Sequence, residues 1–141
     1  MQPPEGMRTF AMWLALVLCA CGSDRDTSDG DRLALQRAVV ATTSEINLHW
    51  ATIMNAGDLA DVRAEAERHA AVMAAELADV RARLEVCGGE RMMAPVEAIE
   101  QDHERSVSQA DDLAAIREEC DAYARTMGAT LHVMMGMECV P

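Results

Sequence analysis

From Leu33 to Met134, the apolar residues of this 141-residue chain recur at spacings of three and four. Residues at those spacings lie on the same side of an α-helix, so each stretch would carry one apolar face. Aromatic residues are few, whereas Ala is abundant throughout the periodic region. The pattern therefore predicts an all-α domain whose helices bury their apolar faces against one another.

Two interruptions mark the ends of the first two helices. The segment 55–57, Asn-Ala-Gly, is a typical helix C-terminus, and Asp58 with Asp61 can cap the helix that follows. Gly88 and Gly89 end the second periodic stretch. Pro95 then suits the first turn of a third helix, where its missing N–H is not needed.

The region around residue 108 decides the number of helices. An unbroken helix from Pro95 to Met137 would be roughly 63 Å long, whereas the second helix reaches only about 43 Å. Half of the long helix would have nothing to pack against. Ser106 with Gln109, or Ser108 with Asp111, can form a capping box for a new start. We therefore expect a fourth helix over about 109–137 and an antiparallel up-down four-helix bundle with short loops. A three-helix bundle with one long C-terminal helix is the alternative.

The N-terminal segment has the layout of a secretion signal, with Arg8 before an apolar run over 10–18 and small residues after it. That run is about half the ~20 residues that cross a bilayer as a helix. Leu18-Cys19-Ala20-Cys21 resembles the bacterial lipobox. The resemblance implies that residues 1–20 are removed as a signal peptide and that Cys21 is lipidated. An ordinary secretory signal cut elsewhere is the alternative.

Further expectations follow from this resemblance. Residues 21–32 would be the lipidated Cys21 and a flexible polar tether, and residues 33–141 the helical bundle domain. Gly22 in the second mature position resembles the pattern sent to the outer membrane in Gram-negative bacteria. The expected location is the cell envelope, with the protein anchored in the outer membrane and facing the periplasm or the cell surface. The membrane would then be one partner, through the lipid anchor.

The charge of the chain excludes some partners. Its formal net charge is −12, and removal of Arg8 and Glu5 with the signal leaves that value unchanged. Phosphate binding needs a positive surface, so we expect no nucleic-acid partner. The same charge disfavours a domain that lies flat on anionic lipid. A protein partner remains compatible with it.

Three cysteines remain beyond the proposed anchor, and an oxidising compartment makes a disulfide between two of them an expectation. Cys87 ends the second predicted helix and Cys139 follows the fourth. These two helices run in the same direction, so both cysteines reach the same end of the bundle. We predict a Cys87–Cys139 disulfide and a free Cys120 inside the fourth helix.

Three of the four histidines follow an acid on the same helical face. The pairs are Glu45 with His49, Glu65 with His69, and Glu100 with His103. Counted along the helices, these histidines lie roughly 8 to 18 Å from the loops near residues 57 and 108. Cys120 falls in the same layer, whereas His132 lies much farther down the bundle. Such a layer could hold a transition metal: imidazole and carboxylate suit Zn, Fe or Mn, and a thiolate shifts the preference toward Zn or Cu.

The spacing Glu100-x-x-His103 resembles an element of ferritin-like di-iron bundles, a resemblance that implies iron. That family has two such elements, and here the second helix has Arg68 three residues after Glu65. Buried histidines also occur as hydrogen-bonded core residues without any ligand. A second sulfur-rich stretch, from His132 to Cys139, could bind Cu(I). Its methionines also continue the core stripe, which favours a packing role.

No catalytic motif accompanies these residues. A glycine-rich phosphate loop, a nucleophile elbow, HExxH and paired CxxC are all missing from the sequence. The chain is therefore not expected to be an enzyme. The leading hypothesis is a non-enzymatic module that binds a partner or serves the envelope structurally. The alternative is a metal-binding or metal-sensing lipoprotein with an inter-helix His/Glu site.

Overall fold

A computed structural model describes the backbone of residues 23–139 and the side chains of residues 27–139. This part of the chain contains four α-helices, a single 3-10 turn and no strand. The helices are α1 (Ser23–Asn55), α2 (Leu59–Val86), α3 (Met93–Gln109) and α4 (Leu113–Met135), and the 3-10 turn is Glu90–Met92. The predicted signal peptide and Cys21 lie outside the described residues.

The four helices pack as a bundle. Helix α1 contacts both α2 and α4, and α4 also contacts α3, whereas α2 and α3 are in looser contact than these three pairs. The connections are short, so consecutive helices run in opposite directions. The expected all-α four-helix bundle is therefore confirmed, and the three-helix alternative is wrong. None of the described helices combines the length and the apolar composition needed to span a bilayer.

The start of α2 is capped as predicted. Asp58 Oδ1 accepts hydrogen bonds from the backbone N–H groups of Ala60 at 2.8 Å and Asp61 at 2.9 Å. Asp61 Oδ2 in turn accepts from the backbone N–H of Gly57 at 3.4 Å. These bonds satisfy donors that a helix N-terminus leaves without partners. The loop between α1 and α2 can thus be short.

The end of α2 is a Schellman motif. Gly88 has φ of 72°, a conformation that side-chain-bearing residues rarely adopt. Gly89 N donates to Leu84 O at 2.7 Å, and Gly88 N donates to Glu85 O at 3.1 Å. This pair of bonds satisfies the last carbonyl groups of the helix. Helix α2 consequently stops here and the chain reverses into α3.

The predicted disulfide is present at this end of the bundle. Cys87, the residue that caps α2, is bonded to Cys139, which follows α4. Cys120 is the one free cysteine among the described residues and is buried, as predicted. The disulfide ties the C-terminal segment to the end of α2.

The turn between α3 and α4 exists, but neither predicted capping box forms it. Helix α3 continues through Gln109, and α4 is capped by Asp112, whose Oδ1 accepts from Ala114 N at 3.0 Å. Ser108 instead donates its hydroxyl proton to Arg105 O at 2.8 Å, within the last turn of α3. A serine that bonds back to its own helix cannot cap the next one.

Helix α1 begins earlier than predicted. Residues 23–32 are helical, which corrects the expectation of a flexible tether there. Asp29 and Arg32 form an ion pair one turn apart, with 3.8 Å between Oδ1 and Nη2. Once a helix is nucleated, each added residue contributes a hydrogen bond at little further cost, so a polar segment can extend it. The bundle nevertheless takes its first buried residue from Leu35 onward.

The core consists of two apolar clusters along the bundle axis. The larger surrounds Leu35, Met73 and Met127 on the side of the disulfide. The smaller surrounds Ile53, Val62 and Ile116 next to the two short loops of the opposite end. Buried polar residues occupy the level between the two clusters, and these residues are the predicted His and Glu pairs.

Candidate metal centre

All three predicted acid–histidine pairs and Cys120 are buried between the helices. Their side chains are 0–8% exposed. They are Glu45 and His49 on α1, Glu65 and His69 on α2, Glu100 and His103 on α3, and Cys120 on α4. The counting of residues along the helices thus placed them in the correct layer. Taking imidazole and carboxylate groups out of water is unfavourable unless each finds a partner.

Two of the histidines and the cysteine point their donor atoms at one another. His49 Nε2 lies 3.2 Å from His103 Nε2 and 3.7 Å from Cys120 Sγ. All three donor atoms lie within 4.8 Å of one another. This group comes from α1, α3 and α4, and it could hold a metal ion.

Glu65 fixes the orientation of the His49 ring. Glu65 Oε1 lies 3.0 Å from His49 Nδ1. A carboxylate only accepts hydrogen bonds, so His49 Nδ1 carries the proton and Nε2 keeps its lone pair. Metal-binding histidines in proteins are commonly held in this way by a carboxylate on the other ring nitrogen. Glu65 therefore supports the group from behind and does not belong to it.

His69 faces a different set of partners. Its Nδ1 lies 2.8 Å from Glu45 Oε1, and its Nε2 lies 3.2 Å from the hydroxyl oxygen of Tyr123. Tyr123 donates its own proton to Glu100 Oε2 at 2.6 Å. The structure thus divides the predicted site: His69, Glu45 and Glu100 lie in the same layer but outside the group of His49, His103 and Cys120.

Arg68 bridges the two carboxylates that hold the histidines and balances one of their two negative charges. Its guanidinium donates to Glu45 at 2.7 and 3.1 Å and to Glu65 at 2.6 and 2.8 Å. Burial raises the pKa of both carboxyl groups, but the bonds from Arg68 and from one histidine each outweigh burial, so both pKa values fall below 4.5. Glu45 and Glu65 are therefore ionised at neutral pH and accept the Nδ1 protons.

The histidines and the cysteine of the three-residue group differ in their protonation at neutral pH. Burial and the neighbouring histidines lower the pKa of His49 to about 4 and that of His103 to about 3, so both rings are neutral at pH 7. A neutral ring offers the lone pair that a metal requires. Burial, with Glu119 and Glu65 nearby, raises the pKa of Cys120 to about 12. The thiol would thus keep its proton at neutral pH unless a metal ion bound to the sulfur, which would form the metal–thiolate bond and release the proton to solvent.

A cavity of about 380 Å³ leads to the histidines between α2 and α3, which pack less closely than the other neighbouring helices of the bundle. His49, His69 and His103 line its inner part, and Arg63, Glu67 and Glu104 line it nearer the surface. A buried site needs such a route for an ion to reach it. The loose contact between α2 and α3 supplies one.

The C-terminal stretch does not assemble a copper site. His132 is exposed, Met127 and Met134 are fully buried in the core, and Cys139 is consumed by the disulfide. A disulfide sulfur is no longer a thiolate, so the strongest soft ligand of the predicted set is missing. The methionines of this stretch fill the core instead.

Two residues of the layer were missed by the sequence reasoning. Tyr123 lies three residues after Cys120 on the inner face of α4, and Arg68 immediately precedes His69. A buried tyrosine hydroxyl usually finds a hydrogen-bond partner, so the Cys120-x-x-Tyr123 spacing could have placed it in the layer. In the sequence, Arg68 stands where the second Glu-x-x-His element of a ferritin-like bundle has its histidine. That comparison did not reveal its role as the cation that the buried Glu45 and Glu65 need.

Comparisons with known protein families, with curated proteins and with solved structures give no match to this chain. Its function is therefore argued from the buried layer itself.

Proposed function

We propose that this chain is a metal-binding lipoprotein that holds a transition-metal ion between its helices, outside the cytoplasm. The observation that carries the proposal is the convergence of His49 Nε2, His103 Nε2 and Cys120 Sγ. Among the expectations from the sequence, a partner-binding or envelope-structural module ranked first. The convergence of His49 and His103 with Cys120 supports the metal-binding alternative, although His69 does not join them.

Two of the three spacings between the donor atoms fit a tetrahedral ion. With metal–nitrogen bonds of about 2.0 Å and a metal–sulfur bond of about 2.3 Å, two nitrogens lie about 3.3 Å apart and a nitrogen and a sulfur about 3.5 Å apart. The corresponding distances are 3.2 Å between His49 Nε2 and His103 Nε2, and 3.7 Å between His49 Nε2 and Cys120 Sγ. The third pair, His103 Nε2 and Cys120 Sγ, lies within 4.8 Å, and a bound ion would draw these two atoms closer together.

The ligand set favours zinc or copper over iron. Two imidazoles and one thiolate suit Zn(II), with a water or another group in the fourth position, and the same set occurs in copper centres. Both metals are met outside the cytoplasm. The chain would then capture or sense such an ion at the membrane, anchored through Cys21 as the lipobox resemblance implies.

Metal binding also explains why the two apolar clusters are interrupted. Replacing buried ionic groups by apolar residues of similar volume is often neutral or stabilising. The layer of His, Glu and Arg side chains is therefore not needed for stability alone. In the folded protein two neutral imidazoles share one proton between Nε2 atoms that lie 3.2 Å apart, and a metal cation could take the place of that proton.

The test is a metal-content measurement on residues 22–141, which include every described helix, exported to an oxidising compartment and purified without a His tag. Zinc or copper should be present at one ion per chain or taken up on incubation, and a Cu(II) or Co(II) adduct should show a thiolate charge-transfer band. Cys120→Ala should lose the band and bind the ion at least about tenfold more weakly.

His132→Ala is the matched control, because His132 is an exposed histidine on the same helix as Cys120. It should leave binding unchanged. Far-UV circular dichroism and the intact Cys87–Cys139 disulfide would show that each variant is folded. A wild-type protein that stays metal-free after incubation with Zn, Cu and Fe salts would overturn the proposal.

A further inference from the structure

A second set of donor atoms lies beside the first, formed by the residues that the His49 group leaves out. Tyr123 Oη lies 3.2 Å from His69 Nε2 and 2.6 Å from Glu100 Oε2. Glu100 Oε1 lies 3.9 Å from His69 Nε2. The set comes from three helices, α2, α3 and α4. Its members supply one nitrogen, one phenol oxygen and one carboxylate.

Glu100 Oε1 has no hydrogen-bond partner within the described part of the chain, although it is buried. The Glu100 side chain is 7% exposed, so water does not fully replace that partner. Buried carboxylate oxygens without a partner are rare, because the loss of hydration is not compensated. This atom lies 3.9 Å from His69 Nε2, close enough for both to be ligands of one ion.

The other contacts of these residues turn their donor atoms toward one another. Glu45 Oε1 holds His69 Nδ1 at 2.8 Å, so Nε2 is the ring nitrogen that faces Tyr123 Oη. The hydroxyl of Tyr123 in turn donates to Glu100 Oε2. One nitrogen and two kinds of oxygen, from three different helices, thus converge at one point of the layer.

We propose that His69, Tyr123 and Glu100 hold a second metal ion, of harder character than the first, and that the bundle therefore contains a two-metal centre. The presence of two ions rests on the proposed function, which supplies the first. The second site does not, because it depends only on its own donor atoms. Imidazole and carboxylate suit iron, and tyrosinate is a known iron ligand. Fe(III) is thus the ion that this set fits best. Binding it would release the Tyr123 hydroxyl proton to solvent, leaving the phenolate oxygen bonded to iron.

The relation between the two sets supports two ions at a short separation. His69 stacks on His49, and Tyr123 stacks on His103, with 3.8 Å between ring centroids in each pair. Two of the three ligands of the second set, His69 and Tyr123, thus lie face to face with ligands of the first. Ions held in the planes of stacked rings would be about 4 Å apart, the separation usual in two-metal sites.

The charge of the layer also suits two cations. Cys120, Tyr123 and Glu100 can each supply one negative charge when bound to metal. Glu45 and Glu65 together carry one more negative charge than the Arg68 guanidinium that they hold. Four negative charges would thus balance two divalent ions and nearly balance one divalent and one trivalent ion. With Zn(II) and Fe(III), one positive charge would be left, which a bound hydroxide could balance.

The experiment is a titration of residues 22–141 with Fe(III), supplied as its citrate complex, to protein preloaded with Zn(II) and in parallel to zinc-free protein. About one iron per chain should bind and produce the visible band of phenolate-to-iron charge transfer. Tyr123→Phe keeps the ring and removes only the hydroxyl. It should abolish the band and weaken iron binding by more than the 10–100-fold that supporting residues contribute.

Two further variants complete the test. Glu100→Gln should weaken iron binding while any bound iron still shows the band. Cys120→Ala should keep the iron and the band but lose the thiolate-bound zinc, which separates this inference from the proposed function. Iron that fails to bind to either form of the wild type, or that binds Tyr123→Phe as tightly as the wild type, would overturn the second site. Zinc binding to the His49 group would be unaffected by that result.

Discussion

His49 Nε2 lies 3.2 Å from His103 Nε2, although the two residues are 54 positions apart and lie on α1 and α3. His49 already places its proton on Nδ1, toward Glu65, so the proton between the two Nε2 atoms belongs to His103. His103 Nδ1 is then an acceptor, and it has no partner within the described residues. A metal ion would displace this proton to Nδ1, where Glu119 Oε1 lies 3.6 Å away. Transfer of this single proton from Nε2 to Nδ1 of His103 would therefore leave a lone pair on each of the two Nε2 atoms, where a metal ion could bind.

Glu65→Gln should weaken zinc binding by about 10–100-fold without changing the ligand atoms. Glu65 holds the His49 ring through its 3.0 Å contact with Nδ1, and its charge makes His49 Nε2 a better donor. Glutamine keeps the volume but loses the charge. Competition with a chromophoric chelator at pH 7.5 would measure the zinc dissociation constant.

Glu85→Gln is the control for that variant, because Glu85 is an exposed acid on the same helix, near the disulfide. It removes one negative charge from α2 and should leave zinc affinity unchanged. Equal zinc affinities for Glu65→Gln and the wild type would show that Glu65 does not support a metal ligand.

Removal of the disulfide by Cys87→Ala with Cys139→Ala should lower the free energy of unfolding by about 4 kcal/mol. The bond closes a separation of 52 residues, and its loss frees the unfolded chain. Urea unfolding of the metal-free proteins, followed by circular dichroism, measures the difference. The folded variant should bind zinc as the wild type does, because the disulfide lies at the end of the bundle remote from Cys120. A difference below about 1 kcal/mol would contradict this account.

The fold was predictable because it depends on where helices stop. Gly88 and Asp58 are strong local signals, and both act as the sequence indicated. Ser108 was misread because serine can bond backward within its own helix as well as forward, and only the structure shows which. The polar segment before Leu33 has no apolar stripe, so its helical state could not be read from periodicity.

The depth of the candidate site along the bundle was predictable from the sequence, but the contacts within it were not. Counting along helices places His49, His69 and His103 in one layer, because the rise per residue is fixed. It does not give the rotation of each helix about its axis or the ring rotamers. Those decide that His49 faces His103 while His69 faces Tyr123. The division of the layer into two donor sets therefore needed the structure.

Lipidation at Cys21 predicts a specific labelling pattern for the full chain in a Gram-negative host. The wild type should incorporate labelled palmitate and sediment with membranes, whereas Cys21→Ser should do neither, because the acyl chains attach through that cysteine. Cys19→Ser is the matched control and should still be labelled. Label retained in Cys21→Ser, or lost in Cys19→Ser, would show that the lipobox resemblance misplaces the anchor.

The metal-free protein should lose stability as the pH falls from about 6.5 to 4. In the unfolded chain, histidines bind protons below about pH 6.5, whereas in the folded protein the pKa of His49 is about 4 and that of His103 about 3. The unfolded state thus binds more protons in this window, and each ring lowers stability by up to about 1.4 kcal/mol per pH unit. Below pH 4.5, protonation of Glu45 and Glu65 adds to the loss, since their folded pKa values are lowered.

Protonation of Glu100 has the opposite effect on stability from protonation of His49 and His103. Burial raises its pKa, so the folded protein takes up that proton at a higher pH than the unfolded chain does, which offsets part of the loss above pH 4.5. Urea unfolding in the presence of a chelator at pH 7, 6, 5 and 4.5 would measure the slope. His103→Gln should reduce the slope of the free energy of unfolding against pH by the contribution of about one proton. His132→Gln changes an exposed residue outside the layer and should leave the slope unchanged. A free energy of unfolding that stays constant between pH 6.5 and 4.5 would mean that His49 and His103 take up protons in the folded bundle, and the neutral pair described above would then be wrong.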